Sequence, residues 1–194
     1  YGDKENNWGV IGAQQSKAEV ALVEKIINSV DSVLMKHSFL NNIDPQSDNA
    51  PSNIREAVKK FFDIRDGMLI NLDAPQRTKL AEENIGFMSS GNRPDEGWAS
   101  YSIFDFGEGQ IPRKMPTTFL SISENNKIKI PFVQGKFNMG STGVLRFCEE
   151  GLQLILSKRN PELVDENIDE DKNWSFTVVR REPPSSESKS SFYL

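Results

Sequence analysis

The sequence is nearly empty of soft metal ligands and thiol chemistry: it holds one cysteine, Cys148, and one histidine, His37. A disulfide within the chain is excluded, and a Cys/His zinc centre lacks its ligands. Cys148 reads as a small packing residue. His37 falls at a helix C-terminal end, where partial positive charge is favourable, and reads as structural. No apolar run approaches the roughly 20 residues of a membrane-spanning helix, and the opening residues do not read as a signal peptide. Basic charge is in deficit, with 23 Lys and Arg against 28 Asp and Glu, a net charge of −5. That balance argues against a broad nucleic-acid-binding face and leaves such contacts to parts outside this fragment. The expected address is cytoplasmic, with no membrane partner.

What is present suits a globular domain. At 194 residues, 37% hydrophobic and 26% charged, the chain is long enough to bury one sizeable core. A single domain is expected over 1–194, with its core in 16–182 and a Ser-rich flexible tail or link in 183–194. The chain starts at Tyr1 and ends on Phe192-Tyr193-Leu194, and an N-terminal part of a longer protein is expected.

Ser16-Lys17-Ala18-Glu19 matches a capping box, and a helix is expected from Ser16 to His37. At about 100° per residue, Leu22, Val23, Ile26, Ile27, Val30, Val33 and Leu34 fall within an arc of about 140°, the expected core face. Glu24, Asn28 and Asp31 share a separate arc of about 60° beside it, while Lys25, Ser29 and Ser32 point elsewhere. A second helix is expected from Ile54 through Phe62, stopping at Asp66-Gly67, then a short strand over Met68 to Leu72. Asp73 to Gly97 reads as loop with at most one helical turn. Strands are expected at Ala99 to Asp105, around Leu152 to Leu156 and around Trp174 to Val178. Between them, 110–139 reads as a long lid and phosphate loop with a short helix around Thr117 to Ser121. Val144 to Glu149 reads as a helix opening closed by Gly151, and Glu162 to Asp171 as a solvated hairpin loop. Two helices before a set of strands fit a two-layer α/β sandwich, helices on a mixed, mainly antiparallel sheet.

Several familiar sites fail on inspection. Gly135 to Thr142 lacks the phosphate-binding lysine of a Walker A loop, because Ser141 stands in its place. Gly107-Glu108-Gly109-Gln110-Ile111-Pro112 carries a proline where a dinucleotide fingerprint needs its third glycine. No G-x-S-x-G elbow is present, and His37 is too isolated for a triad.

Three pieces remain in order: E-x-x-x-N-x-x-D on a helix, I-x-D-x-G-x-G at a strand end, and a glycine loop running into a helix. Polar residues at such helical spacing occur on many amphipathic helices, so the first piece gains weight only from the other two. Asp105 at a strand end can accept from an exocyclic amine such as the N6 of adenine. Gly107 and Gly109 clear space for a turn and a flat ring. The loop from Gly135 to Gly143 offers amides to phosphate oxygens. Asn28 offers an oxygen to Mg²⁺, and Glu24 can orient or deprotonate a water.

On these residues the chain resembles the GHKL ATP-binding superfamily of gyrase B, HtpG-type chaperones, MutL, MORC proteins and sensor histidine kinases. Glu24-Lys25-Ile26-Ile27-Asn28-Ser29-Val30-Asp31 is similar to the first box of that group. Ile103-Phe104-Asp105-Phe106-Gly107-Glu108-Gly109 is similar to the second, and Gln134-Gly135-Lys136-Phe137-Asn138-Met139-Gly140 to the third. The likeness runs from about Ala18 to Gly151. It implies a Bergerat-type fold that binds ATP and Mg²⁺ and hydrolyses ATP slowly in the isolated domain. Carried over by position, it implies Asn28 on Mg²⁺, Asp105 on adenine, Asp31 in support through water, and Gly107 and Gly109 at the purine. It implies Gly135, Lys136, Phe137, Asn138, Met139 and Gly140 around the phosphates, and Glu24 as general base.

Two departures stand out. Asn138 replaces a glycine of many members. The late-strand threonine near adenine is not evident: Thr177 lacks a preceding glycine, and the expectation places the true one beyond Leu194. The implied function is a conformational or ATP-dependent dimerisation switch in a larger protein, its partners reached through regions outside this sequence. The alternative is a nucleotide-sensing or kinase-like module without significant hydrolysis, and a third reading is a scaffold with a vestigial pocket.

Overall fold

The computed structural model describes residues 17–93, 95–97, 99–118, 127–135, 143–180 and 192–193. The chain is mixed α/β. Its described elements are α1 (Ala18–Leu40), α2 (Ile54–Phe62), α3 (Ala74–Asn84), β1 (Ile85–Gly91), β2 (Ala99–Asp105), β3 (Leu152–Lys158), β4 (Trp174–Arg180) and β5 (Phe192–Tyr193), joined by short 3₁₀ turns. The strands form two antiparallel sheets, β1-β2 and β3-β4-β5. No parallel pairing occurs among the described strands, so the expectation of one mixed sheet is corrected to two small antiparallel ones. The chain groups into two compact units, Ile26–Glu108 with Lys129–Gln134, and Tyr1–Lys25 with Gly109–Ile128 and Gly135–Leu194. The boundary falls inside α1, after Lys25.

The helical unit is built around the later turns of α1. Leu34, Met35, Ala57, Ile130, Phe132 and Val133 form its buried centre, with Val30, Ile54, Val58, Phe61 and Phe62 packed around them. His37 lies against Phe62, ring centroids 4.5 Å apart, in keeping with a structural role. α2 begins where expected because Asn53 caps it, accepting from Glu56 N–H at 3.0 Å. It ends at Phe62, earlier than expected, since Asp63 adopts a left-handed conformation with φ 52°.

Two sequence expectations fail in this unit. Met68 to Leu72 is not a strand: Leu69–Asn71 make an exposed 3₁₀ turn. Asp73 to Gly97 is not a loop, because it contains α3 and β1. Asp73 and Gln76 form a reciprocal capping box, and Pro75 sits in the first turn of α3. That helix has no buried residue, so no apolar stripe announces it. β1 and β2 pair from Ile85↔Asp105 to Gly91↔Ala99, which puts Asp105 at the end of the ladder. Gly86 lies under the Phe104 ring, and a Cβ there would fall 2.0 Å from Cζ of that ring.

In the other unit, β3 and β4 form a hairpin in register from Leu152↔Arg180 to Lys158↔Trp174, and β4 continues to β5. The acidic connection between them is a hairpin loop as expected, folded into turns at Pro161–Leu163 and Asp169–Lys172. Asp171 is buried there and accepts from Arg113 at 2.7 Å. Val144 to Glu149 is not an α-helix but a pair of 3₁₀ turns, Leu145–Phe147 and Glu149–Gly151. Pro112–Thr117 is a 3₁₀ turn packed against β4. The capping serine Ser16 and the stretches 119–126 and 183–191 lie outside the described residues.

Candidate functional site

α1 is an uninterrupted 23-residue helix, so Glu24 and Asn28 stand one turn apart on it and Asp31 nearly one turn further. The expected core arc is only partly right. Val23 and Ile26 are exposed, whereas Ser29, Asp31, Val33, Leu34, Met35 and Ser38 are buried. These buried positions surround the helix instead of lining one stripe. Ser29, read as pointing away from the core, is therefore a buried residue, and Asp31 is fully enclosed instead of lying at an edge.

Within the helical unit the enclosure has named causes. Asp31 Oδ1 accepts the backbone N–H of Gln134 at 3.0 Å. The carbonyl of Ser32 accepts from Glu108 N–H at 3.0 Å. Gly107 lies directly on Ser32: a Cβ there would stand 2.2 Å from the Ser32 hydroxyl and 2.5 Å from its carbonyl carbon. Asp105 Oδ1 accepts from Gly107 N–H at 3.0 Å, which folds the chain sharply after β2. Phe106 N–H donates to the carbonyl of Asn84 at 2.9 Å, tying the same turn to the end of α3. Residues of the first and second boxes and the first residue of the third are thus bonded or packed to one another around Asp31 and Ser32. Asn28, half-buried, lies on the helical turn before them.

Glu24, Gly109, Gly135 and Thr177 belong to the other unit. Burial raises the Glu24 carboxyl above its ordinary value, opposed by the charge of Lys25. Burial also pushes the Lys25 ammonium down to about 8, against the influence of Cys148 and Glu24. The Cys148 thiol is raised by burial, opposed by Lys25, and its Sγ donates to the Val144 carbonyl at 3.3 Å. Lys25, set aside in the sequence as pointing elsewhere, is therefore electrostatically coupled to the candidate base. Gly109 has φ +62°, and a Cβ on it would lie 1.8 Å from the carbonyl oxygen of Lys158, so only glycine fits. Its own carbonyl accepts from Arg159 at 3.3 Å, and Gln110 N–H donates to Ser157 Oγ at 2.9 Å.

Thr177 lies on the inward face of β4 at 2% exposure, level with buried Ser157 and Ser175. No local sequence feature signals that burial. Ser32 is the other residue that sequence reasoning passed over; its only signal is its place beside Asp31. Gly135 is half-buried. The phosphate-loop candidates Lys136, Phe137, Asn138, Met139 and Gly140 lie outside the described residues.

Among the described residues, no group of three or more His, Cys, Asp or Glu gathers as a metal cage, and no helix is long and apolar enough to cross a membrane. A magnesium ion shared with phosphates needs few protein donors, so the single amide oxygen of Asn28 suits that ion. The chain matches no family model, no curated protein and no solved structure.

Proposed function

We propose that the chain is a Bergerat-type nucleotide-binding module that binds ATP with Mg²⁺ and hydrolyses it slowly, as part of a conformational or dimerisation switch. The observation that carries this reading is the bonded convergence of Asp31, Ser32, Asp105, Gly107, Glu108 and Gln134 in the helical unit. In that unit, residues of two box-like stretches and Gln134, which opens the third, are bonded or packed to one another, and this supports the reading.

In this reading, the Asp105 carboxylate recognises the exocyclic amine of adenine. The close approach of Gly107 to Ser32 keeps the adjacent floor free of side chains. Asp31, already holding the Gln134 amide, fixes the start of the phosphate loop and supports the purine through water. Gly135 to Gly140 offer amides to the phosphates. Asn28 would hold Mg²⁺, which supplies charge neutralisation at the phosphates when bound. Glu24 orients and deprotonates the attacking water, and its raised pKa strengthens it as a base in the carboxylate form. A single cysteine and the acidic charge balance suit a cytoplasmic setting. ATP turnover of the full-length protein tests the assignment: Glu24→Ala abolishes phosphate release while ATP still binds. Unchanged turnover contradicts the base, and binding with no release in either protein favours the nucleotide-sensing alternative.

A further inference from the structure

Three consecutive residues at the end of β3 and just past it grip the last glycine of the second box and the residue after it. Gln110 N–H donates to Ser157 Oγ at 2.9 Å. The Lys158 carbonyl oxygen fills the space that a Cβ on Gly109 would need. Arg159 donates to the Gly109 carbonyl at 3.3 Å. The Gln110 side chain is held as well, its Oε1 accepting from Thr118 Oγ1 at 3.4 Å. All of these residues belong to one compact unit.

Ser157 is an unusual occupant of its position. It is buried on the inward face of β3, where a strand ordinarily places a branched apolar side chain. A small hydroxyl adds little to packing there. What it does is take the main-chain N–H of a residue 47 positions earlier, which burial would otherwise leave without an acceptor. Gly109, at φ +62°, is of the residue type with the widest backbone freedom. Without these partners the Gly109–Gln110 turn would sample many conformations. A ligand that needs one of them would then bind against the entropy of ordering the turn.

We propose that Ser157 and Arg159 are positioning residues of the nucleotide site: they hold the Gly109–Gln110 turn in its binding conformation before the ligand arrives, and so set the affinity for Mg–ATP. The inference rests on the nucleotide reading, which puts Gly109 at the purine. It adds the part of the chain that keeps Gly109 in place.

Titration calorimetry of the full chain with Mg–ATP tests it, below the unfolding temperature of every variant. Ser157→Ala weakens binding by about fivefold, the worth of one neutral hydrogen bond. Ser157→Thr keeps the hydroxyl and restores the wild-type affinity. Ser175→Ala is the control. It removes a buried hydroxyl from the facing strand position, but that hydroxyl donates to the Ser157 carbonyl at 3.1 Å and not to the turn. It lowers Tm and leaves the affinity at the wild-type value. A merely structural role for Ser157 predicts that Ser157→Ala and Ser175→Ala lower Tm alike and leave the affinity alone, and that result overturns the proposal. Arg159→Ala, at a half-buried position past the strand, keeps the test open where a Ser157 variant fails to fold: it too weakens binding, and unchanged affinity in it overturns the proposal. Asp105→Asn separates this claim from the reading beneath it. If Asp105→Asn weakens Mg–ATP binding and Ser157→Ala does not, the positioning role alone falls. If the wild type binds no Mg–ATP, the nucleotide reading falls and the positioning role with it.

Discussion

Asp31 and Gln134 are 103 positions apart in the sequence, and one hydrogen bond of 3.0 Å joins them. The acceptor is fully buried and the donor is main chain, so the bond sets where the chain turns before the glycine loop. Asp31→Ala leaves the Gln134 N–H without this acceptor, at a cost of about 1–3 kcal/mol. Asp31→Asn keeps an oxygen for the bond and costs less. Urea unfolding of both variants measures the difference. Equal stability of Asp31→Ala and wild type contradicts the role given to the bond.

The glycines of the second box respond differently from each other. Gly107→Ala drives a Cβ into the backbone and hydroxyl of Ser32, an overpacking worth about 1–3 kcal/mol. Ser32→Ala removes only the hydroxyl, so the pair Gly107→Ala with Ser32→Ala recovers only a small part of the loss. Gly109→Ala meets the Lys158 carbonyl oxygen and a positive φ together, and nothing flexible can yield. Thermal unfolding of the three proteins gives the order, with Gly109→Ala the least stable.

Lys25 makes stability depend on alkaline pH in a definite direction. Its folded value, about 8, lies below its ordinary 10.5 because burial disfavours the ammonium. The folded state therefore holds this proton less tightly than the unfolded chain does. The stability contributed by the neutral amine is complete above 10.5 and is lost as pH falls through about 8. Relative to Lys25→Met, the wild-type Tm rises as pH is taken from 8 to 10. A difference in Tm that stays flat over that interval contradicts the burial of the charge.

The same lysine tunes the candidate base. Burial raises the Glu24 carboxyl, and the Lys25 charge pulls it back down. The acid limb of the turnover profile therefore lies above 4.5, and Lys25→Met moves it further toward neutral pH. Glu24→Gln lowers turnover by about 100-fold or more, in line with the loss of general-base assistance. A limb that ignores Lys25→Met separates Glu24 from the pH dependence.

The parts of this architecture that were legible in the sequence are those where local pattern and tertiary burial agree. α1, α2, β2, β3 and β4 show periodicity, and they occur within a few residues of expectation. α3 escaped because none of its residues is buried, although Asp73-Ala74-Pro75-Gln76 carried the cap and proline of a helix start. The strand expected over Met68 to Leu72 mistook exposed apolar residues for a buried run; Ile70 is 78% exposed. Among the candidate residues, spacing singled out Asn28, Asp31, Asp105 and Gly107, but not the contacts that Asp31 and Gly107 make. Ser32 and Gln134 take part through main-chain contacts between distant parts of the chain, which no local pattern encodes. In β3 and β4, alternation locates the two faces of each strand without saying which one turns inward.

The central claim is that Asp105 reads a nucleotide. Asp105→Asn is suited to test it, because the amide oxygen can still accept from Gly107 N–H while a second acceptor becomes a donor. The direct measurement is the shift in thermal unfolding caused by Mg–ATP on the full chain, wild type against Asp105→Asn. The account predicts that ATP raises the wild-type Tm and leaves the variant, equally stable without nucleotide, unmoved. A wild type that gains nothing from ATP, or a variant that gains as much, contradicts it.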